Sequence, residues 1–200
     1  MTVNVYYCRM TAPTRSRRRG AVLEQALCLA AVAEMTAVGY AGMTMEGVAA
    51  RARTGKAAVY RRWPNKHALA LDAIRYVMPP LPELDANAPA RENLRRIFTA
   101  LCGVFAGDSA FPGLALAVGV LGDPQMRAAF VEVVVAPRLA VVTGILNDAQ
   151  RNGEVGALTP LAPQVGPALI IQAFLINGAP PSTQDIELIL DTVLPATACG

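Results

Sequence analysis

The sequence predicts an all-α protein of about nine helices. Apolar residues recur at steps of three and four through most of the 200 residues, which is the spacing of one face of a helix. Glycine, proline and capping residues interrupt this pattern at intervals that suit helix ends. No segment alternates apolar and polar residues for long enough to predict a sheet, and the β-branched run at 131–135 lies inside a longer helical pattern.

Four helices are predicted in the N-terminal part, over residues 18–38, 45–51, 56–63 and 66–78. Gly39 ends the first, because glycine readily adopts the left-handed conformation just past a helix. Thr44 can cap the second helix, since its hydroxyl accepts a free backbone N–H of the first turn. Pro64 ends the third helix, and Asn65 can cap the fourth. Residues 1–16 have no periodicity and are predicted to be a disordered basic arm.

The proline-rich segment 79–82 is a stiff connection to the rest of the chain. Five further helices are predicted there, over about 89–107, 112–121, 124–152, 163–178 and 183–194. Apolar residues make up 54% of the chain and charged residues only 16%, so apolar surface is in surplus over an ordinary soluble domain. That surplus must lie in a membrane, in an interface between subunits or around a cavity.

A membrane is the least suitable of these places. The uncharged segment 155–184 is interrupted by prolines and glutamines, and its apolar run at 168–176 is far shorter than the roughly 20 residues that cross a bilayer. The first residues lack the long apolar stretch of a signal peptide. We therefore expect a cytoplasmic protein with no membrane partner, whose surplus apolar residues form an interface or line a cavity.

Charge is divided unevenly along the chain. Residues 1–78 carry 12 basic and 4 acidic side chains, whereas residues 79–200 carry 6 basic and 11 acidic ones. The first part therefore has a net charge of +8 and the second −5. Such an asymmetry suggests that the basic end binds a polyanion. A solvated basic face without a partner would give the same count of charged residues. A sequence motif is therefore needed to distinguish a polyanion-binding end from such a face.

Catalysis, metal binding and cofactor binding have little support. The four cysteines lie far apart and none forms a CxxC pair. Cys28 and Cys102 fall in helical patterns and are expected to pack as small apolar groups. His67 is the only histidine, no serine sits in a GxSxG motif, and no phosphate-binding loop occurs. We expect no enzyme activity and no cofactor.

Residues 44–66 have the pattern of two short helices joined by a tight turn, a helix-turn-helix. The small residues Ala49 and Ala52 suit the crossing of the two helices. Ala57 and Ala58 keep one face of the second helix slim enough to enter a DNA major groove, which is about 12 Å wide. Donors for phosphate oxygens surround that face: Lys56, Tyr60, Arg61, Arg62 and Lys66. The core beneath is expected to contain Val48, Val59 and Trp63.

This segment resembles the TetR family of transcriptional regulators over residues 27–71. The shared features are Gly39-Tyr40, Thr44, Val48-Ala49 and the continuous run from Gly55 to Lys66. The resemblance implies that base edges are faced by Lys56, Ala57 and Ala58. It implies that phosphates are contacted by Thr44, Tyr60, Arg62 and Lys66. It also implies that the DNA backbone or minor groove is reached by Arg17, Arg18 and Arg19.

The resemblance further implies how function is divided along the chain. Residues 17–66 would form the DNA-binding domain, and residues 67–200 a helical domain that binds a ligand and dimerises. The expected function is a repressor that binds a palindromic operator as a homodimer and releases it when a small apolar molecule binds. The rival prediction is a helical interaction module whose basic end binds an acidic protein partner.

Two sets of apolar residues are assigned within the second domain. Apolar stripes of this kind are more often plain core than cavity lining, and the candidates for a ligand cavity are Phe98, Leu101, Phe105, Leu116, Val120, Phe130, Val134, Ile170 and Phe174. The family pairs its last two helices across the dimer. In this chain those helices carry Leu169, Ala173, Ile176, Ile186, Leu190 and Val193.

The turn of the helix-turn-helix departs from the family pattern. Arg53 and Thr54 stand where the family usually has glycine and valine. Glycine adopts a positive φ at little cost, whereas arginine does so with strain on the order of 1 kcal/mol. Three interpretations are open: the turn differs from that of the family, Arg53 gains a DNA contact, or its side chain is merely solvated.

Overall fold

The computed structural model describes residues 15–106 and 112–194, with the backbone alone at 15–19 and Leu114. Every regular element in that part of the chain is helical, which confirms the predicted all-α fold. The nine helices there are α1 Arg15–Gly42, α2 Met45–Arg51, α3 Lys56–Tyr60, α4 Lys66–Val77, α5 Ala90–Ala106, α6 Leu114–Leu121, α7 Pro124–Arg151, α8 Ala162–Asn177 and α9 Thr183–Val193. Helix α1 begins three residues before its predicted start. The predicted arm, apart from its last two residues, lies outside the described residues.

Helix α1 is broken at Gly39. This residue has φ 72° and ψ 166°, so the regular helix stops where the sequence predicts, and one further turn follows. A side chain at this φ would be strained, which is why glycine stands here. The N–H of Met43 returns to the Gly39 carbonyl at 3.1 Å and directs the chain into α2.

Helix α7 contains a π-helical turn at Val131–Val135. Pro137 follows closely, and proline lacks an N–H and crowds the carbonyl group four residues before it. The wider π turn accommodates that carbonyl, which belongs to Val133, without ending the helix. The β-branched run is therefore helical, as predicted, rather than a strand.

Two large hydrophobic clusters fill most of the described interior, beside a small third one of Ala90, Ala149 and Val155. The N-terminal cluster joins α1–α4 to α6 and to the first half of α7, and its fully buried members include Leu27, Met35, Val59, Leu69 and Leu116. The C-terminal cluster joins α5, the second half of α7, α8 and α9, and its most deeply buried members include Phe98, Leu146, Ile170 and Leu190. Helix α7 contributes to both clusters.

The two described cysteines are free and buried, as predicted. Burial, and to a lesser extent the nearby carboxylates of Glu24 and Asp72, raise the pKa of the Cys28 thiol to about 11, so the thiol stays protonated. Burial also raises the pKa of Cys102. Both side chains act as small apolar groups within the clusters.

The N-terminal cluster holds α6 directly against α1. A Cβ atom at Gly119 would lie 2.9 Å from the Met35 carbonyl oxygen and 3.7 Å from the Gly39 Cα. Because real Cβ atoms do not come this close to backbone, only glycine permits the crossing. Leu116 and Val120 of the same helix are completely buried, so α6 belongs to the same core as the helix-turn-helix.

An ion-pair network fastens α9 to α5. Arg91 Nη2 and Arg95 Nε contact the two carboxylate oxygens of Glu187 at 2.7 and 2.6 Å. Arg91 Nη1 also reaches Asp191 at 2.7 Å, and Arg95 pairs with Glu92. The guanidinium groups of Arg95 and Arg91 hold the pKa of Glu187 at about 2, below its usual range.

Two helices are long and apolar enough to cross a membrane by length and composition alone, Gly20–Gly42 and Pro124–Arg151. Neither lies in the uncharged segment 155–184 that the sequence singled out. Core helices of soluble proteins pass the same test, and both of these contribute buried residues to the hydrophobic clusters. They are therefore weak evidence for a membrane.

Glu187→Gln is expected to destabilise the protein at neutral pH, because it removes the carboxylate that both arginines contact. The depressed pKa means that this stabilisation is complete above about pH 4.5 and is lost as the pH falls toward about 2. Thermal unfolding from neutral pH downward should therefore show a difference in Tm from wild type that shrinks below about pH 4.5. Asp148→Asn, at an exposed pair, is the control and should change Tm little throughout. A Glu187→Gln difference that stays constant into acid would contradict the network.

Gly119→Ala is expected to lower the free energy of unfolding by about 1–3 kcal/mol, since the new Cβ has to push against the Met35 backbone. Gly144→Ala is the matched control: Gly144 is also helical, but nothing lies within 4 Å of its Cβ position. Alanine there should raise stability by about 0.5–1 kcal/mol. Denaturant unfolding measures both changes, and equal effects would show that α6 does not approach α1 this closely.

Candidate nucleic-acid interface

Two capping residues fix the ends of the helix-turn-helix. Thr44 Oγ1 accepts a backbone N–H of α2 at 2.9 Å, and Asn65 Oδ1 accepts one of α4 at 2.9 Å. Both predicted N-caps are therefore confirmed. Helix α3 is shorter than predicted, because only Lys56–Tyr60 is helical and residues 61–62 continue as a turn.

The core of this unit is the predicted one. Val48 and Val59 have no exposed surface, and Trp63 is also buried. Trp63 Nε1 donates a hydrogen bond to Asp72 Oδ2 at 2.9 Å, and the other oxygen of Asp72 pairs with Arg75 at 2.9 Å. This bond ties the end of the α3 segment to α4 and so fixes the orientation of α3.

Arg53 occupies the left-handed position in the turn. Its φ is 53°, and no other described residue except glycine has a positive φ. The conformation that the family's glycine suits is thus adopted here by an arginine, with the strain expected from the sequence. Its side chain is exposed beside α3.

One surface of the unit is basic and open, and we call it the reading face: Arg53, Lys56, Ala57, Tyr60 and Arg61, all of them exposed. Tyr60 is 49% exposed, so its hydroxyl is available to a partner. None of the ion pairs within the described part of the chain involves a cation of this face. Uncompensated guanidinium and ammonium groups around a slim helix suit a DNA backbone on either side of a major groove.

Ala58 does not belong to this face, which corrects the prediction that it meets base edges. Successive residues of a helix are turned by about 100°, so Lys56, Ala57 and Tyr60 share one side while Ala58 and Val59 share the other. Ala58 is only 8% exposed and lies on the buried side of α3.

Two of the predicted phosphate contacts are already engaged with the protein. Lys66 Nζ donates to the carbonyl oxygens of Tyr40 and Ala41, each at 3.2 Å, and lies 4.6 Å from the centre of the Tyr40 ring. Arg62 donates to the Ala58 carbonyl at 3.0 Å. The two cations thus satisfy backbone carbonyls in the last turn of α1 and in α3, a structural role that the sequence did not reveal. Their phosphate contacts stay predictions.

The start of α1 lies beside this surface. Arg62 Nη2 is 3.5 Å from the Gly20 carbonyl oxygen, which brings the backbone after Arg19 next to the end of α3. Arg17, Arg18 and Arg19 are helical in backbone, and their side chains lie outside the described residues. Their DNA contacts remain an expectation.

A salt bridge that the sequence did not single out positions α2 against α1. Glu34 pairs with Arg51 at 2.9 Å, and its side chain is only 15% exposed. Gly47 leaves room for that carboxylate, since a Cβ there would lie 2.6 Å from a Glu34 oxygen. Arg51 is thereby neutralised and adds little to the charge of the reading face.

The predicted ligand-cavity residues are divided between the two clusters. Phe98 and Ile170 are completely buried in the C-terminal cluster, where the rings of Phe105 and Phe174 stack 5.0 Å apart and Leu101 packs nearby. The N-terminal cluster contains the other four, Leu116, Val120, Phe130 and Val134. The structure therefore does not bring the nine together around one point.

Half of the predicted dimer residues face inward, which corrects that part of the prediction. Ile186, Leu190 and Val193 are at most 4% exposed, because the face of α9 that carries them packs on the chain's own α5 and α8. The other three, Leu169, Ala173 and Ile176, line a groove of about 400 Å³ between α8 and α9. The large apolar side chains that stand outward on α8 and α9 are Leu175, Ile176 and Leu188, each at least 59% exposed.

This geometry defines a class of protein: DNA-binding regulators that attach a helix-turn-helix with a basic reading face to a helical bundle. Two family models match the chain. Bacterial regulatory proteins, tetR family, matches residues 27–73, and the tetracyclin repressor-like C-terminal domain matches residues 87–193. The chain belongs to the TetR family of transcriptional regulators, as the resemblance predicted.

Relatives and solved structures agree with this assignment. HTH-type transcriptional regulators of Mycobacterium bovis and Mycobacterium tuberculosis are each 31% identical over 162 residues, which is 78% of this chain and 78% of theirs. FadR from Bacillus subtilis in complex with stearoyl-CoA has a TM-score of 0.65 at 17% identity, covering 86% of this chain and 98% of its own. AibR in complex with isovaleryl coenzyme A and operator DNA has a TM-score of 0.63 at 18% identity, covering 88% and 100%. The likeness to both structures concerns the fold.

Arg53→Gly is expected to raise the free energy of unfolding by about 1 kcal/mol, because glycine removes the left-handed strain in the turn. Arg53→Ala is the control: it removes the same charge but keeps a Cβ at φ 53°, so it should give no such gain. Denaturant unfolding compares the two. If alanine stabilised as much as glycine, the effect would come from charge and not from backbone strain.

Proposed function

We propose that the protein is a ligand-responsive repressor that binds a palindromic operator as a homodimer and releases it when a small apolar molecule binds. The observation that carries the proposal is the reading face, where Arg53, Lys56 and Arg61 are exposed and unpaired within the described chain. A cytoplasmic regulator without enzyme activity is the corresponding cellular role. The rival, an acidic protein as partner of the basic end, would not need a slim helix that fits a groove.

Recognition of DNA would use the reading face in two ways. Lys56 and the methyl group of Ala57 are placed to contact base edges once α3 enters a major groove. The Tyr60 hydroxyl and Arg61 would contact phosphates at the edges of that groove. Thr44 is exposed at the start of α2 and would add a contact, although its hydroxyl already accepts the Gly47 N–H.

Dimerisation would use the outward apolar side of α8 and α9. Ile176 and Leu188 line the groove between these helices, and Leu175 stands outward on α8. These exposed apolar side chains are poorly suited to water. The second copy of the chain is the occupant that the family architecture supports. A two-fold dimer places its two reading faces one DNA turn, about 34–36 Å, or a multiple of it apart, which matches a palindromic operator.

Ligand release would work through the two hydrophobic clusters. The stacked rings of Phe105, which packs against the C-terminal cluster, and Phe174 offer an apolar contact surface beside that cluster. Helix α7 runs from that cluster into the N-terminal one, which holds α4, so a ligand that parts the clusters would shift α4 and the spacing of the reading faces. The apolar chains of the acyl-CoA molecules bound by FadR and AibR exemplify the chemistry that such a surface accepts. A coupling of about 1–3 kcal/mol is typical of such switches.

Lys56→Ala is expected to weaken binding to DNA from upstream of the protein's own gene by about 1–3 kcal/mol and to relax its sequence preference. Tyr60→Phe keeps the ring and should cost about 1 kcal/mol through loss of one phosphate hydrogen bond. Fluorescence anisotropy measures both affinities. Arg151→Ala, an exposed cation at the end of α7, is the control and should leave the affinity unchanged. Unchanged affinity for all three variants would remove α3 from the interface.

Leu188→Arg is expected to convert the dimer to a monomer, because it places a charge on the proposed interface, and to weaken operator binding as a result. Val118→Arg is the control, since Val118 is 64% exposed on α6, away from the groove. Size-exclusion chromatography with light scattering gives the mass of each variant. A Leu188→Arg protein that remained a dimer would place the interface elsewhere.

A further inference from the structure

The buried face of α7 contains a single charged residue. Phe130, Val134, Arg138, Val142 and Leu146 follow one another at steps of four, so they lie along one side of the helix. Residues four apart turn slightly more than one full turn around an α-helix axis, but slightly less than one full turn in a π turn. The π turn at Val131–Val135 therefore offsets part of this rotation and helps to keep the five residues on one side of the helix. The two residues before Arg138 belong to the N-terminal cluster, and the two after it belong to the C-terminal cluster. Arg138 therefore lies at the boundary between the two clusters.

The guanidinium of Arg138 has no carboxylate partner among the described residues. It donates to the Pro79 carbonyl at 2.7 Å and to the Val134 carbonyl at 3.2 Å. Its burial lowers the pKa of the group below the usual range, and no neighbouring acid raises it. In contrast, ion pairs are made by Arg91, Arg95, Arg96 and Arg151.

Such a placement is costly for a structural residue. A half-buried cation loses hydration, and bonds to neutral carbonyls replace it only in part. An apolar residue would continue the stripe of α7 at this position. An uncompensated charge in a partly dry setting between apolar groups is instead typical of a ligand-binding position.

We propose that Arg138 binds the anionic group of the effector, so that the effector is an amphiphile with an apolar chain and a carboxylate or phosphate. This proposal rests on the ligand response proposed above and defines the class of that ligand. The apolar chain would contact the clusters on either side of Arg138. The anionic group would accept paired hydrogen bonds from the guanidinium, the geometry in which arginine binds carboxylates and phosphates most strongly.

The position of Pro79 connects this contact to the reading face. Pro79 directly follows Met78, the C-cap residue of α4, and Met78 packs against the N-terminal cluster. An anion competes with the Pro79 carbonyl for the same guanidinium. Binding would therefore weaken the bond that ties the end of α4 to α7 and favour movement of α4.

The test compares decanoate, decanoyl-CoA and the neutral 1-decanol by isothermal titration calorimetry on the full chain. The variants are Arg138→Gln, which keeps a hydrogen-bond donor for Pro79 but no charge, and Arg138→Lys, which keeps the charge. Arg127→Gln is the control, since Arg127 lies on the same helix but is exposed. Urea unfolding of each variant in the absence of probe establishes that it is folded.

Wild type and Arg127→Gln are expected to bind decanoate or decanoyl-CoA about tenfold or more tighter than Arg138→Gln does, with 1-decanol bound equally by all three. Arg138→Lys should retain part of the preference. A preference for decanoate assigns a carboxylate to the site, and one for decanoyl-CoA alone assigns a phosphate.

The proposal is overturned if Arg138→Gln binds the anionic probes as tightly as wild type does, or if wild type binds neither anionic probe. It is also overturned if the substitution weakens binding of 1-decanol as much as it weakens binding of the anionic probes. These outcomes leave the proposed function standing as long as the protein binds its operator and a neutral molecule such as 1-decanol releases it. If the wild-type protein does not bind its operator, the proposed function itself is contradicted.

Discussion

The close crossing of α1 and α6 is the contact on which the arrangement of the described chain depends. Gly119 lets α6 lie directly on the Met35 carbonyl beside the break at Gly39, and Leu116 and Val120 then fill the core of the helix-turn-helix. The DNA-binding unit is therefore not an independently packed domain, because part of its core comes from the helical bundle. Any movement of α6 or of the first half of α7 has to move α1 with it. This shared core provides a physical route by which an event in the bundle can reach α3.

Basic side chains of the bundle and of the helix-turn-helix differ in whether they are paired with carboxylates. In the bundle, arginines meet carboxylates across α5 and α9, so the acidic excess there is partly used to hold helices together. Around the helix-turn-helix, Arg51 and Arg75 are the only cations among the described side chains that form such pairs, and the cations of the reading face are left for an external anion. The sequence count of +8 against −5 thus corresponds to two different uses of charge. Among the described arginines of the bundle, Arg127 and Arg138 make no ion pair, and only Arg138 is withdrawn from solvent, which is why it stands out as a position for an anion.

The sequence predicted most of the fold because the helix boundaries are set by residues with strong local conformational preferences. Gly39, Thr44 and Asn65 end or begin helices where expected, and Arg53 adopts the left-handed conformation that its place in the turn requires. What the sequence did not decide was which partner covers an apolar stripe. Ile186, Leu190 and Val193 have the spacing of an interface, yet they pack on their own chain, since a helical period is the same in either case. Ala58 was assigned to the wrong side of α3 for a related reason, since a short helix offers too few turns to fix its buried side. The sequence also did not reveal the bonds of Lys66 to backbone carbonyls, because a long cation can reach such carbonyls as easily as phosphates.

The central claim is that the reading face recognises a specific DNA sequence. Fluorescence anisotropy of the wild-type protein with DNA from upstream of its own gene, against scrambled competitor and at several salt concentrations, tests it most directly. The account predicts tight binding that resists the competitor and weakens steeply as salt rises, because several phosphates release counterions on contact. If binding stays equally weak on this DNA and on sites selected from random sequence, the basic end serves a partner other than an operator and the account is contradicted.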